Sequence, residues 1–291
     1  MSVTLPSARG QGYLLGEDPA DVLELAGTVS LPAPETVRGA IFIAPDPDLI
    51  TALPTWVLNK AMVVAKITSA GAAALTERRD LTRLVLTADL PAAVLRQIGD
   101  TEREAQRGAT FEFDTAPLAA MAELTHLELL GVDLDDEAAT ALGSCPKLTT
   151  VRLRASHLTG TFLPTLAPLA NQLTYLQLAS EQLRGDQLMH LPRLDAASAA
   201  AFLGPHIFAG LDPLQLRKSL PNVAFLNLYG QINPPDDVEE SEQSFRRLLP
   251  YRAAFAGVDV NGLQLTEKGA RRAAKRLDIS LDSPMSAEHD S

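Results

Sequence analysis

Apolar residues recur along this chain in a short alternating phrase, and the phrase itself recurs. Leu81-Thr-Arg-Leu-Val-Leu86, Leu124-Thr-His-Leu-Glu-Leu129, Leu148-Thr-Thr-Val-Arg-Leu153 and Leu173-Thr-Tyr-Leu-Gln-Leu178 all read L-T-x-[LV]-x-L. Val223-Ala-Phe-Leu-Asn-Leu228 and Phe255-Ala-Gly-Val-Asp-Val260 keep the apolar positions. Period-two alternation predicts a short strand in each, with leucines on one face and the intervening residues on the other. Leu148 follows Leu124 by 24 residues, Leu173 follows Leu148 by 25, and Val223 follows Leu173 by 50. The doubled interval predicts a degenerate unit in between. Leu191-Pro-Arg-Leu194 matches Leu220-Pro-Asn-Val223, which puts its strand near Leu194 to Phe202. The 43-residue interval from Leu81 to Leu124 has room for another strand around Thr110 to Asp114.

The second half of each unit repeats as well. An apolar anchor (Ile67, Leu134, Leu158, Leu183 or Leu265) is followed five residues on by Ala72, Ala139, Leu163, Leu188 or Ala270, and eight on by Leu75, Leu142, Leu166, Leu191 or Ala273. Those offsets lie three apart, the spacing of one helical face. Thr68, Asp135, Thr159 and Thr266 come directly after their anchors and are residues that cap helix starts. Arg184-Gly185 after Leu183 breaks this rule. Each unit is therefore expected to be a strand, a turn and a short capped helix.

Leu148-Thr-Thr-Val-Arg-Leu-Arg-Ala-Ser-His-Leu158 and Leu173-Thr-Tyr-Leu-Gln-Leu-Ala-Ser-Glu-Gln-Leu183 resemble the leucine-rich repeat pattern L-x-x-L-x-L-x-x-N/C-x-L. Unit length and the helical second half are similar to the ribonuclease-inhibitor-like and cysteine-containing subtypes, the latter also through Gly143-Ser-Cys-Pro-Lys-Leu148. The resemblance implies an α/β solenoid with a curved parallel sheet on its concave side and helices on its convex side. The chain departs from the family where an asparagine ladder usually runs, holding Val132, Ser156, Glu181 or Gln231 there. The turns then need their hydrogen bonds from another source. The expected organisation is an irregular N-terminal capping region over 1–56, with a strand in Val37–Ala44 and room for one degenerate repeat. The solenoid follows over 57–277, closed by a basic helix from Thr266 to Leu277, and then a polar, disordered tail over 278–291.

The composition, 46% apolar and 21% charged with 5% aromatic, suits a globular chain whose core is built from many small aliphatic contacts. A formal charge of -11 argues against nucleic acid and against an anionic membrane surface, because both call for a basic surplus. No apolar run is long enough to span a bilayer. A single cysteine and the absence of a secretion-signal pattern at the start lead to the expectation of a cytoplasmic protein. The Ala-, Leu- and Arg-rich usage resembles that of bacterial chains.

The outward strand positions are the candidate binding surface. One column reads Arg83, His126, Thr150, Tyr175, Phe225 and Gly257; the next reads Val85, Glu128, Arg152, Gln177, Asn227 and Asp259; a third reads Thr87, Leu130, Arg154, Ala179, Tyr229 and Asn261. Arginine and aromatic side chains dominate binding hot spots, so the expected partner-contacting residues are His126, Glu128, Arg152, Arg154, Tyr175, Gln177, Phe225, Asn227 and Tyr229.

Candidate chemistry is otherwise sparse. His126 and Glu128 share a strand face but need further ligands to hold a metal, so a solvated pair is expected. Cys145, in a Ser-Cys-Pro loop, reads as a packed core thiol rather than a nucleophile. His157 and His190 belong to no constellation. The acidic run Asp236 to Glu242 reads as a solvated loop before a helix at Gln243–Leu249. Gly10-x-Gly12 lacks the helix and third glycine of a dinucleotide loop, and the chain has no G-x-S-x-G, HExxH or CxxC. No catalytic residues, metal or cofactor are expected. The leading expectation is a non-catalytic scaffold or adaptor that binds another protein on the concave sheet. The alternatives are a structural subunit of a larger assembly or homo-oligomer, or an enzyme with its site in an irregular segment such as 1–56 or 195–222.

Overall fold

Regular alternation of leucine with polar residues makes a strand that is buried on one face, and the structure, a computed structural model, places such strands side by side. It describes residues 2–5, 11–18, 21–65, 67–88, 111–230, 243, 246–255, 258–259 and 275. Strands β1 (Ser2–Thr4) and β4 (Thr28–Ser30) form a separate antiparallel pair. β2 (Gly12–Leu15) and β3 (Val22–Glu24) add an antiparallel edge to the main sheet beside β5 (Gly39–Ile43). From β5 onward the sheet is parallel and follows chain order. It continues through β6 (Ala61–Ala65), β7 (Arg83–Thr87), β9 (His126–Asp135), β10 (Thr150–His157), β11 (Tyr175–Ala179), β12 (Ala199–Leu203), β13 (Phe225–Tyr229) and β14 (Val258–Asp259).

The leucines of the phrase form one buried spine. Leu84 and Leu86, Leu127 and Leu129, Val151 and Leu153, Leu176 and Leu178, and Leu226 and Leu228 all belong to it. The doubled interval does contain a strand, β12, inside the degenerate unit. Ala197 and Ala200 stand there where other units carry leucine, and the fully buried Phe202 fills the space. The 43-residue interval has a different outcome. A two-residue strand β8 (Phe111–Glu112) pairs with the outer half of β9, while β7 pairs with β9 directly, so no extra rung enters the main ladder.

Among the described residues, the helices of the second halves are short, and both α and 3-10 turns occur, Asp136–Ala139 being α-helical. Leu163–Leu169, Gln187–His190 and Thr140–Ser144 are 3-10 turns, whereas Ser69–Thr76 and Pro213–Ser219 are α-helical. A 3-10 turn climbs about 2.0 Å per residue, which suits a return path of few residues, and Pro164 and Pro168 withhold amide donors from any longer α-helix. Thr68 and Asp135 cap helix starts as expected, accepting from the amides of Gly71 and Ala138. Thr159 does not cap; its amide and hydroxyl both donate to Asp136, and its helix starts further along at Leu163. Thr266, the final basic helix apart from Lys275, the acidic run Asp236 to Glu242 and the tail lie outside the described residues.

Two features join one unit to the next. The threonine of L-T-x-L-x-L forms a ladder along one end of the sheet. Thr125 Oγ1 donates to the carbonyl of Thr82 (2.9 Å), Thr149 to that of Thr125 (3.0 Å), Thr174 to that of Thr149 (3.0 Å) and Ser198 to that of Thr174 (3.3 Å). Asp136 does the same work at the opposite end. Its carboxylate accepts from the Thr159 amide and hydroxyl and from the amides of Gly160 and Phe162. Burial works to raise the Asp136 carboxyl, but these donors outweigh it and hold it below the usual carboxylate range. Ser180, fully buried, accepts from the Gln182 amide and donates to the Ser156 carbonyl. These side chains supply turn hydrogen bonds in the absence of an asparagine ladder.

Candidate functional site

The parallel register carries the outward columns across the sheet without a break. Arg83, His126, Thr150, Tyr175, Ala199 and Phe225 lie rung beside rung, and so do Val85, Glu128, Arg152, Gln177, Ala201 and Asn227. Neighbouring strands are about 4.8 Å apart, so side chains on adjacent rungs reach one another.

Glu128 is the centre of this surface. Only 9% of its side chain is exposed, yet it is surrounded by cationic donors. Arg152 Nη1 donates to Glu128 Oε2 at 2.7 Å, and Arg83 Nη2 lies 3.7 Å from Oε1. His126 Nε2 lies 2.6 Å from Oε1, and since a carboxylate only accepts, the imidazole donates there. Arg152 Nε extends the chain to Gln177 Oε1 at 3.1 Å, which also accepts from the Tyr175 hydroxyl at 2.8 Å. Arg83 is anchored at the other end by donating to the Ala61 carbonyl.

Burial acts to raise the Glu128 carboxyl. The His126 hydrogen bond and the charges of Arg152, His126 and Arg83 act against it, and the net result lies below the ordinary carboxylate range. A carboxylate held ionised in this way is a weak proton acceptor, so the cluster acts through charge and geometry. It fixes the Arg152 guanidinium between two acceptors and presents its remaining donors outward.

The structure thus brings together His126, Glu128, Arg152, Tyr175 and Gln177, and adds Arg83. Glu128 and His126 are not a solvated pair, because the arginines on the neighbouring strands cover the carboxylate. Arg154 is exposed on the same face, two residues beyond Arg152. Phe225 stands two strands from Tyr175 with 68% of its surface exposed, and Asn227 is half-buried beside it. The short side chains of Ala199 and Ala201 lie between.

The expectation of a continuous exposed face is corrected in three places, the first being Ala201, which is 5% exposed and joins the hydrophobic cluster between Gln177 and Asn227. Val85 and Thr87 are buried at the β7 end. Tyr229 is only 3% exposed and joins the hydrophobic cluster, as do its register partners Leu203 and Ala179. The third column therefore turns into the core from β11 to β13, and Tyr229 is a packing residue. Val258 and Asp259 form β14, whereas Gly257 and Asn261 lie outside the described residues.

Two features of the sequence were open to more use. Arg83 was legible as an outward residue, and its place beside Glu128 follows once β7 and β9 are adjacent. The repeated threonine was visible in the phrase itself, but its partner carbonyl depends on the register between strands.

Cys145 is fully buried, donates to the Leu118 carbonyl, and has its thiol pushed up by burial to about 11. That is a core thiol, not an activated one. His157 pairs with Asp133 at the exposed end of β10. Among the described residues, no group of three or more His, Cys, Asp or Glu side chains is placed to hold a metal ion, and no helix is long and apolar enough to cross a membrane. Comparisons with known protein families, with curated proteins and with solved structures find no match.

Proposed function

We propose that this chain is a leucine-rich repeat solenoid that binds another protein, without catalysis, through the sheet face running from Arg83 to Phe225. The observation that carries this reading is Phe225, a large aromatic side chain 68% exposed on a rigid sheet, beside a row of polar side chains locked by mutual hydrogen bonds. Aromatic side chains are enriched at protein–protein interfaces, where they act as anchors. Preorganised arginine and tyrosine side chains give a partner directional contacts at little cost in conformational entropy. The unit length, the L-T-x-L-x-L phrase and parallel strands in chain order support the repeat assignment.

The test is affinity capture from the native cell extract with the wild-type chain and with a Phe225→Ala, Arg154→Ala, Tyr175→Ala variant. These positions are exposed or half-buried, so the variant is expected to melt close to wild type. Proteins captured by the wild type and lost from the variant support the reading. Equal capture by both chains overturns it.

A further inference from the structure

Met189 sits half-buried in the 3-10 turn Gln187–His190, packed against the hydrophobic core, and its sulfur meets the start of the helix Pro213–Ser219 in the following unit. The Asp212 amide donates to Met189 Sδ at 3.4 Å. Asp212 is the cap of that helix: its Oδ1 accepts from the amides of Leu214 at 2.8 Å and Gln215 at 3.2 Å. At the other end of the helix, Arg217 donates to the carbonyls of Leu220 at 3.3 Å and Val223 at 3.2 Å, which joins the helix to the approach to β13. A thioether is therefore the acceptor for the residue on which the helix start depends. Met121, by contrast, is fully buried.

We propose that Met189 is a site of oxidation by hydroperoxides and that its sulfoxide loosens the helix Pro213–Ser219. A thioether sulfur has two lone pairs, and the Asp212 amide takes one. In the reaction a sulfur lone pair attacks one peroxide oxygen, the O–O bond breaks and a sulfur–oxygen bond forms. Sulfur is oxidised by two electrons, the peroxide is reduced, and with hydrogen peroxide a proton shift releases water. The product is polar and chiral where a flexible apolar side chain packed before. Its sulfur becomes the positive end of the new dipole and no longer accepts a hydrogen bond. The Asp212 amide must then turn toward the added oxygen or lose its partner. Either movement shifts the backbone that aims the Asp212 carboxylate at the amides of Leu214 and Gln215, and so weakens the cap. The added oxygen also needs water or a donor of its own, which the apolar packing around Met189 does not supply. The buried Cys145 thiol, pushed up to about 11, does not compete for the oxidant.

The experiment treats the full chain with hydrogen peroxide, follows each methionine by peptide mass mapping, and measures amide hydrogen exchange over 187–190 and 212–219 before and after. Met189 is expected to oxidise about tenfold faster than the buried Met121. The amides of Leu214, Gln215 and Leu216 are expected to exchange about tenfold faster in the oxidised chain, and methionine sulfoxide reductase should restore the original rates. A Met189→Leu chain keeps an apolar side chain that cannot be oxidised, and peroxide should leave exchange in its helix unchanged. Oxidation of Met189 no faster than that of Met121 overturns the site. A Met189 sulfoxide with unchanged exchange over 212–219 overturns its coupling to the helix. The same acceleration in the Met189→Leu chain assigns the effect to another residue and overturns the inference.

Discussion

Replacing Thr149 with valine removes one hydroxyl from the ladder and leaves shape and strand propensity nearly unchanged. In the native chain, Thr149 Oγ1 donates to the Thr125 carbonyl at 3.0 Å in a half-buried setting. That carbonyl also receives the amides of Thr149 at 2.8 Å and Thr150 at 3.0 Å. The substitution therefore strands no acceptor, and the loss is the net value of one hydrogen bond, about 1 kcal/mol. With a urea m-value of roughly 3 kcal/mol/M for a chain this long, the midpoint of unfolding should fall by about 0.3 M. Thr149→Ser keeps the donor and should recover most of that shift. Thr174→Val should cost less, because its hydroxyl bond to Thr149 is exposed to water. Ala224 occupies the same position in the next unit and has no hydroxyl, while its amide donates to the Ser198 carbonyl at 2.8 Å. Ala224→Thr should extend the ladder and raise the midpoint. A Thr149→Val midpoint within 0.1 M of wild type, or a serine variant as unstable as the valine one, would refute the ladder as a source of stability.

Three other substitutions or treatments test separate parts of the structure. Glu128→Gln should cost about 1–2 kcal/mol at pH 7, because Arg83 and Arg152 lose the negative charge that compensates them and one accepting oxygen becomes an amide donor. Since the folded carboxyl lies below its ordinary range, that stabilisation is present above the range and disappears as pH falls through the folded value; denaturation curves of variant and wild type should converge in acid. Gly204→Ala should destabilise by about 3 kcal/mol or more, since its Cβ would lie 2.3 Å from the Ser180 carbonyl oxygen, a backbone atom with no room to move; calorimetry reads this directly. Cys145 should ignore Ellman's reagent in the native state and react fully in urea, and rapid native labelling would contradict its burial.

The strands were legible because a leucine at every second position is a direct record of a one-sided strand. Even the degenerate unit could be placed, from the doubled interval and from Leu191-Pro-Arg-Leu194, although Ala197 and Ala200 had erased its leucines. What the pattern could not hold was chain-to-chain geometry. The phrase gives the parity of Glu128, Arg152 and Gln177, but the hydrogen bonds among them exist only once β9, β10 and β11 pair in register. Tyr229 shows the limit of parity. Its outward position in the alternation made it a candidate contact, while its neighbours on the adjacent rungs, Leu203 and Ala179, draw the row into the core. Thr159 shows another. A threonine before a helical pattern reads as a cap, and only Asp136 from the preceding unit, 2.7 Å from its hydroxyl, explains why it is not one.

The account depends on units stacked in chain order and in a single register, including the degenerate one. Disulfide trapping across β11 and β12 tests this directly. Gln177 and Ala201 are register partners on the same face, so Gln177→Cys with Ala201→Cys brings two thiols within bonding range. Gln177→Cys with Ala200→Cys places them on opposite faces. Under mild oxidation the first pair should close, leaving Cys145 as the only free thiol on denaturation, while the second pair stays reduced and shows three. Cross-linking of the second pair in preference to the first, or of neither, would contradict the register and the face built on it.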